Sequence, residues 1–103
     1  MSSIFAITVT TIGKPVFEGT ADSITAPGEE GEFMVLHNHE SMLVKLQAGK
    51  VTIHSPEMRQ IYQVDGGIVE IAGTNEKFGV RIIADYPTLM YKEGASGRRE
   101  IER

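Results

Sequence analysis

Residues 27–39 read PGEEGEFMVLHNH, and this stretch carries the features that decide both the fold and the candidate sites. It opens with the turn-forming pair Pro27-Gly28 and continues with three glutamates within four positions. The short apolar run at 33–36 is typical of a buried strand. His37 and His39 close the stretch, and side chains two apart on a strand face the same side. The stretch therefore predicts a turn and a strand that lead either to a metal site or to a charged loop for a partner.

Size and composition limit what the rest of the chain can be. The 103 residues fit one domain with a modest core. An apolar content of 41% excludes a disordered chain, and no apolar run approaches the roughly 18 residues of a membrane-spanning helix. We expect no signal peptide, and the absence of cysteine excludes disulfides and thiolate ligands. The net charge of −4 argues against nucleic acid or anionic lipid as the main partner.

Alternation of apolar and polar residues predicts strands along most of the chain. Phe5, Ile7 and Val9 alternate with smaller or polar residues, so they should face a core. The segment at 78–84 repeats the pattern, and turn signals separate such segments every several residues. No long helical period is present. The sequence predicts an all-β fold, a small flattened β-sandwich or barrel of about eight to ten short strands.

Two stretches depart from this regular pattern. Residues 16–26 read as one long strand whose alternation changes parity, which a bulge near Gly19 would explain. After Asp85 the pattern stops, because Tyr86-Pro87 disfavours the interior of a strand. We therefore predict one domain at 1–85 and a flexible C-terminal tail at 86–103 with at most a frayed helical turn.

The two histidines of the opening stretch permit a metal interpretation. Gly31, His37 and His39 have the spacing that begins the cupin metal motif, but that motif needs a glutamate four or five positions after the second histidine. Leu43 and Val44 occupy those positions. Two imidazoles without a third protein ligand hold zinc or iron weakly. We expect no metal, and a cupin-like metal-binding barrel that uses His37 and His39 stays open as an alternative.

The glutamates Glu29, Glu30 and Glu32 permit either catalysis or a contact with a partner. General acid–base catalysis by a pair of carboxylates needs one of them to be buried. Three acids in a glycine-rich loop are better suited to a solvated loop that contacts a basic or polar surface. No nucleophile elbow surrounds a serine, and Gly66-Gly67 lacks the frame of a phosphate loop. We therefore expect these glutamates to contact a partner and not to act in catalysis.

Five motifs occur in the order and spacing of one known family. They are VFEG at 16–19, DSITAPG at 22–28, EGEFMVL at 30–36, His39 with Met42-Leu43, and DGGIVEI at 65–71, followed by VRIIAD at 80–85. Together they resemble the N-terminal β-sandwich domain of the epsilon subunit of F-type ATP synthase, called delta in mitochondria. The chain departs from the family where G-H-A-P becomes NHES at 38–41 and where a glycine becomes Met34.

The resemblance implies a central-stalk rotor subunit that couples the c-ring to the gamma subunit during ion-driven ATP synthesis. It also implies that the chain is not an enzyme by itself but a non-catalytic subunit of the complex. The implied contact residues are Glu30, Gly31 and Glu32 for the c-ring, and Thr11, His39 and Val44 for gamma. No cofactor is implied, and the isolated chain is expected to be a monomer. Only eighteen residues follow Asp85, so the family's C-terminal helical hairpin, with its inhibition and ATP sensing, is expected to be missing.

The same resemblance implies a location at the cytoplasmic face of a bacterial or archaeal cell membrane, with indirect attachment through the complex. A generic β-sandwich interaction module with an unrelated partner stays open beside the cupin-like alternative. Metal content would distinguish the cupin-like barrel, and a pull-down against gamma and the c-ring would distinguish the unrelated module.

Overall fold

The structure, a computed structural model, describes residues 4–94 and 99–100. Within these residues it contains eleven strands and a 3₁₀ turn at Asn75–Lys77. The strands are β1 (Phe5–Thr11), β2 (Lys14–Ala21), β3 (Ser23–Gly28), β4 (Gly31–Leu36), β5 (Met42–Leu46), β6 (Gly49–Ser55), β7 (Met58–Val64), β8 (Gly67–Ala72), β9 (Gly79–Ala84), β10 (Thr88–Gly94) and β11 (Arg99–Glu100). The all-β prediction is confirmed, and the number of strands is slightly higher than expected.

The strands form one strongly curled sheet that folds over on itself. One half, which we call the β3 half, contains β4, β3, β6, β7, β10 and β11 in hydrogen-bonded order. The β8 half contains β5, β8, β9, β1 and β2. The halves are joined where Gly28 of β3 is opposite Leu46 of β5. Neighbouring strands are antiparallel except β1 and β9, which are parallel.

The inward faces of both halves meet in one apolar core. Phe5, Ile7 and Val9 of β1 are almost fully buried, as the alternation predicted. The other fully or nearly fully buried large aliphatic side chains come from both halves: Ile24, Val35, Leu46, Val51, Ile53, Val64, Val69, Ile71, Val80 and Ile82. Each contributes about 1.5–3 kcal/mol when it leaves water completely. The core therefore fixes which side of every strand faces outward.

Strand register places several turns at one end of the molecule. Leu46 is opposite both Gly28 and Gly67, and Gly67 is in turn opposite Ala84. The β3–β4 turn, the chain before β8 and the chain after β9 therefore lie at the same end. Thr10 of the parallel strand β1 is opposite Ile83, so the β1–β2 turn lies there too.

The prediction of one long strand over residues 16–26 is wrong. The structure has two strands in that region, because β2 ends at Ala21 and β3 begins at Ser23. Asp22 donates its N–H to the His54 carbonyl at 2.7 Å, which carries the chain from the β8 half to the β3 half. The change of parity arises from this transfer. The register shift between β1 and β2 lies between Val9 and Thr10 of β1, and not at Gly19 of β2.

The prediction that the strand pattern ends at Asp85 is also wrong. Strand β10 pairs with β7 along its length, and Leu89 packs against the core. Tyr86 adopts a positive φ of 50° and turns the chain before Pro87, so the proline precedes the strand and does not interrupt it. The rest of the predicted tail, at 95–98 and 101–103, lies outside the described residues, as does the frayed turn expected there.

Candidate functional site

An open groove separates the first half of β4 from β5. Its lining comes from the β3–β4 turn and from the start of β5: Gly28, Glu29, Glu30, Gly31, Glu32, Phe33, His39, Met42, Leu43, Val44 and Lys45. Five of the six predicted contact residues are in this set, so residues assigned to two different partners share one surface. We call it the β4–β5 groove.

One wall of the β4–β5 groove is the acidic turn. Gly28 is opposite Gly31, which leaves Glu29 and Glu30 as the two residues of a tight hairpin turn. Gly31 has a φ of 131°, a conformation that side-chain-bearing residues rarely adopt. The side chains of Glu29, Glu30 and Glu32 are exposed, so no buried carboxylate is available for acid–base chemistry. The turn presents charge to solvent or to a partner.

Hydrogen bonds to the segment between β8 and β9 hold the β4–β5 turn in place. Asn38 and Asn75 both have positive φ, at 68° and 53°. The Asn38 side chain accepts the Asn75 N–H at 2.7 Å and donates to the Asn75 side-chain oxygen at 3.2 Å. His39 also donates its backbone N–H to the Leu36 carbonyl at 3.0 Å. The paired amides of Asn38 and Asn75, which we call the asparagine clasp, therefore fix the loop that carries His39.

The two histidines make separate contacts and do not share a ligand. His37 Nε2 lies 3.0 Å from the Asn75 carbonyl, and the ring meets Phe78 edge to face. His39 Nδ1 lies 2.8 Å from the Glu40 carbonyl. A carbonyl only accepts, so each of these nitrogens carries a hydrogen. Among the residues the structure describes, no cluster of three metal-ligating side chains is present.

Apolar side chains form the floor of the β4–β5 groove. Phe33 and Val44 are half-buried and pack against the core. Met42 shares their inward side but remains 44% exposed because the groove is open there. Leu43, on the outward side of β5, is 69% exposed. Alternation could predict which side each residue faces, but not that the sandwich stays open at this edge.

Thr11, the sixth predicted contact residue, lies outside the groove. It is half-buried at the end of β1 and lines a small cleft with Thr10, Gly13, Lys14, Pro15 and Glu18. The structure therefore does not bring Thr11 together with His39 and Val44. Thr11 and the acidic turn lie at the same end of the molecule, but they do not line the same groove.

The fold and the positions of the turns agree with one family of proteins. Residues 4–86 match the model of the ATP synthase delta/epsilon chain β-sandwich domain. The chain belongs to this family. An ATP synthase epsilon chain from Rickettsia bellii is 38% identical over 77 residues, which are 72% of this chain and 71% of that relative. One from Helicobacter pylori is 35% identical over 88 residues, covering 85% and 68% of the two chains.

Solved structures of low sequence identity share the fold. A chain in the Euglena gracilis mitochondrial ATP synthase structure matches with a TM-score of 0.74 at 21% identity, over 86% of this chain and 55% of that chain. One in the Tetrahymena thermophila central stalk and c-ring structure matches with a TM-score of 0.56 at 20% identity, over 77% and 63%. This chain thus spans less than two thirds of the length of either solved chain.

Family membership confirms the prediction of an epsilon-type, non-catalytic rotor subunit of ATP synthase. The cupin-like barrel and the unrelated interaction module receive no support from the comparisons. No helix among the described residues is long and apolar enough to cross a membrane.

Proposed function

We propose that this chain joins the rotor of an F-type ATP synthase by binding the gamma subunit and the c-ring through two neighbouring surfaces. The observation that carries the proposal is the shared β4–β5 groove, where exposed Glu30 and Glu32 lie beside His39 and Val44. A rotor part must transmit torque between two partners. A single curled sheet with a fully packed core provides a stiff connection between its surfaces.

The acidic turn is the proposed contact with the c-ring. Glu30 and Glu32 are exposed, flank Gly31 and lie at the end of the molecule where several turns meet. Their charge would be complementary to basic loops on the c-ring, and such complementarity fixes register and speeds association. Asp65 and Asp85 are exposed at the same end and extend the negative surface.

His39 and Val44 are the proposed contacts with gamma. Because His39 Nδ1 donates to the Glu40 carbonyl, the Nε2 of a neutral ring is left as an acceptor for a partner's donor. Val44 offers a half-buried apolar surface next to it. Thr11 is proposed as a further gamma contact, which must be made from its own cleft. The complex would hold the chain at the cytoplasmic face of the membrane without direct insertion.

The test is equilibrium binding of the chain to purified gamma and, separately, to a c-ring in detergent. Glu30→Lys with Glu32→Lys should weaken c-ring binding by about tenfold or more, since like charges facing each other cost several kcal/mol. The same double variant should leave gamma binding within about twofold, a change of a few tenths of a kcal/mol. His39→Ala should show the reverse pattern.

Glu57→Lys is the matched control, because Glu57 is an exposed glutamate on the β6–β7 turn, at the opposite end of the molecule. If Glu57→Lys weakens c-ring binding as strongly as the Glu30 and Glu32 changes, net charge and not the acidic turn governs the contact. If the double variant binds the c-ring normally, the acidic turn is not the contact.

A further inference from the structure

Strand β5 has hydrogen-bonding partners on only one side over most of its length. Its register with β8 pairs Met42 with Ile71 through to Leu46 with Gly67. On the other side only its end meets β3, at Leu46 and Gly28. Strand β5 is therefore an edge strand of the β8 half.

One hydrogen bond reveals which backbone groups face the open side. The Lys45 carbonyl accepts the N–H of Glu29 at 3.0 Å, on the side away from β8. Backbone groups alternate sides along a strand, so the N–H and C=O of Leu43 point the same way as those of Lys45. The groups of Met42 and Val44 point to β8. In the described part of the chain, no strand lies beside β5 to pair with Leu43.

The free edge of β5 is unusually apolar for an exposed edge. Soluble proteins cover or charge such edges, since an apolar free edge pairs readily with another chain. Leu43 is 69% exposed and Met42 44% exposed, and Lys45 is the one charged residue of the strand. The opposite wall of the groove carries Glu30 and Glu32.

We propose that the free edge of β5 receives an extended segment of the gamma subunit as an added strand. This inference rests on the proposed function and specifies how the gamma contact is made. The backbone of the segment pairs with the N–H and C=O of Leu43. Alternate side chains of the segment enter the groove against Phe33, Met42 and Val44. The segment is assigned to gamma because His39 and Val44, the proposed gamma contacts, line the same groove as the free edge.

Amide hydrogen exchange, followed residue by residue by NMR, tests the added strand in the unaltered chain. Without gamma, the Leu43 amide should exchange quickly and the Val44 amide slowly, because only Val44 donates towards β8. A saturating amount of purified gamma should slow exchange at Leu43 by about 100-fold or more. Val44 serves as the internal control and should change little, since it is already protected.

A pair of variants separates backbone pairing from side-chain contact. Leu43→Pro removes the N–H on the open side, where an edge strand tolerates proline, while Leu43→Ala shortens the side chain and keeps the N–H. Gamma binding by Leu43→Pro should be about tenfold weaker than by Leu43→Ala, which corresponds to one lost backbone hydrogen bond in a buried setting. Thermal unfolding checks that both variants fold.

The outcomes distinguish this inference from the proposed function. Gamma binding with unchanged exchange at Leu43 would overturn the added strand and leave the gamma contact standing. No gamma binding at all would overturn both. Protection of Leu43 that depends on the concentration of the chain alone would assign the edge to a second copy and overturn the assignment to gamma.

Discussion

The β8 half has two outer strands, and they are built in opposite ways. Strand β2 carries Pro15, which has no backbone N–H, and the exposed charge of Glu18. Its pairing with β1 is also interrupted by the shift between Val9 and Thr10. Each of these features discourages another strand from pairing at β2. Strand β5 has none of them over Met42–Val44.

The difference indicates which side of the molecule is kept for a partner. A protected edge at β2 resists pairing with another strand, while an unprotected edge at β5 is useful only if something covers it. The groove beside β5 also contains most of the contact residues that the sequence predicts. Substitutions in and around these strands test whether the two edges differ in this way.

The largest expected effect comes from a substitution that disturbs β8, the strand that pairs with β5. Gly67 begins β8 with a φ of 138°, and an added Cβ would overlap the Ile83 carbonyl oxygen and lie 2.9 Å from the Ala84 Cα. Gly67→Ala should lower the free energy of unfolding by about 3 kcal/mol or more, because backbone strain and a steric overlap add. Urea unfolding measures the change.

Gly13→Ala is the control for Gly67→Ala. Gly13 also has a positive φ, 70°, but an added Cβ would meet nothing within 4 Å. It should cost only about 1–2 kcal/mol, the penalty of the left-handed conformation itself. Equal losses at Gly13 and Gly67 would contradict the overlap at the start of β8.

The second change gives β5 the protection that β2 already has. Leu43→Lys places a charge on the free edge and should weaken gamma binding by about tenfold or more, because a lysine on an edge strand discourages another strand from pairing there. Val16→Lys on β2, where Val16 is 38% exposed, should change it by less than about twofold. Calorimetric titration measures both affinities. Similar losses from both variants would remove the distinction between the two edges.

The third change loosens the loop that leads into β5. Asn38→Ala removes both bonds of the asparagine clasp and places alanine at a φ of 68°. It should cost about 2–3 kcal/mol of stability, from two exposed hydrogen bonds and the left-handed backbone. Asn38→Gly keeps the backbone freedom and should cost about 1–2 kcal/mol. If the two variants unfold alike, the backbone conformation contributes nothing.

The smallest effect is expected at the edge of the other half, where β10 covers β7. Arg59 and Glu93 approach to 3.5 Å with side chains 41% and 30% exposed. An ion pair of this kind contributes about 0.2–1 kcal/mol, so Glu93→Gln should change the free energy of unfolding by no more than that. A loss above about 2 kcal/mol would show that the pair does more for β10 than its exposure suggests.

The sequence predicts most of the fold because local alternation decides which side of a strand is buried. The burial of Phe5, Ile7 and Val9 followed directly from residue type and spacing. The turn predicted at Pro27-Gly28 lies two residues later, because both of these residues still pair with β4. The separate strands β2 and β3 were missed, since a transfer between the two halves and a bulge produce the same change of parity. Strand β10 was missed because its apolar pattern is weak and its pairing with β7 is long-range.

The candidate site was predicted only in part for a similar reason. Residue types indicated an exposed acidic loop at 29–32 and a histidine at 39, and both line the groove. The grouping of Thr11 with His39 depends on distances between strands far apart in sequence, and the structure separates them. The open edge at Leu43 could not be predicted, because a free edge is defined by which strands do not pair with it.

The most direct test of gamma binding through the β4–β5 groove is a titration of purified gamma subunit with the full chain, comparing the unaltered protein with His39→Ala and with Glu30→Lys/Glu32→Lys. We expect a one-to-one complex that the histidine change weakens by about tenfold and the double charge reversal leaves nearly unchanged. A complex weakened by the charge reversal but not by the histidine change, or no complex at all, would contradict the assignment of the β4–β5 groove to gamma.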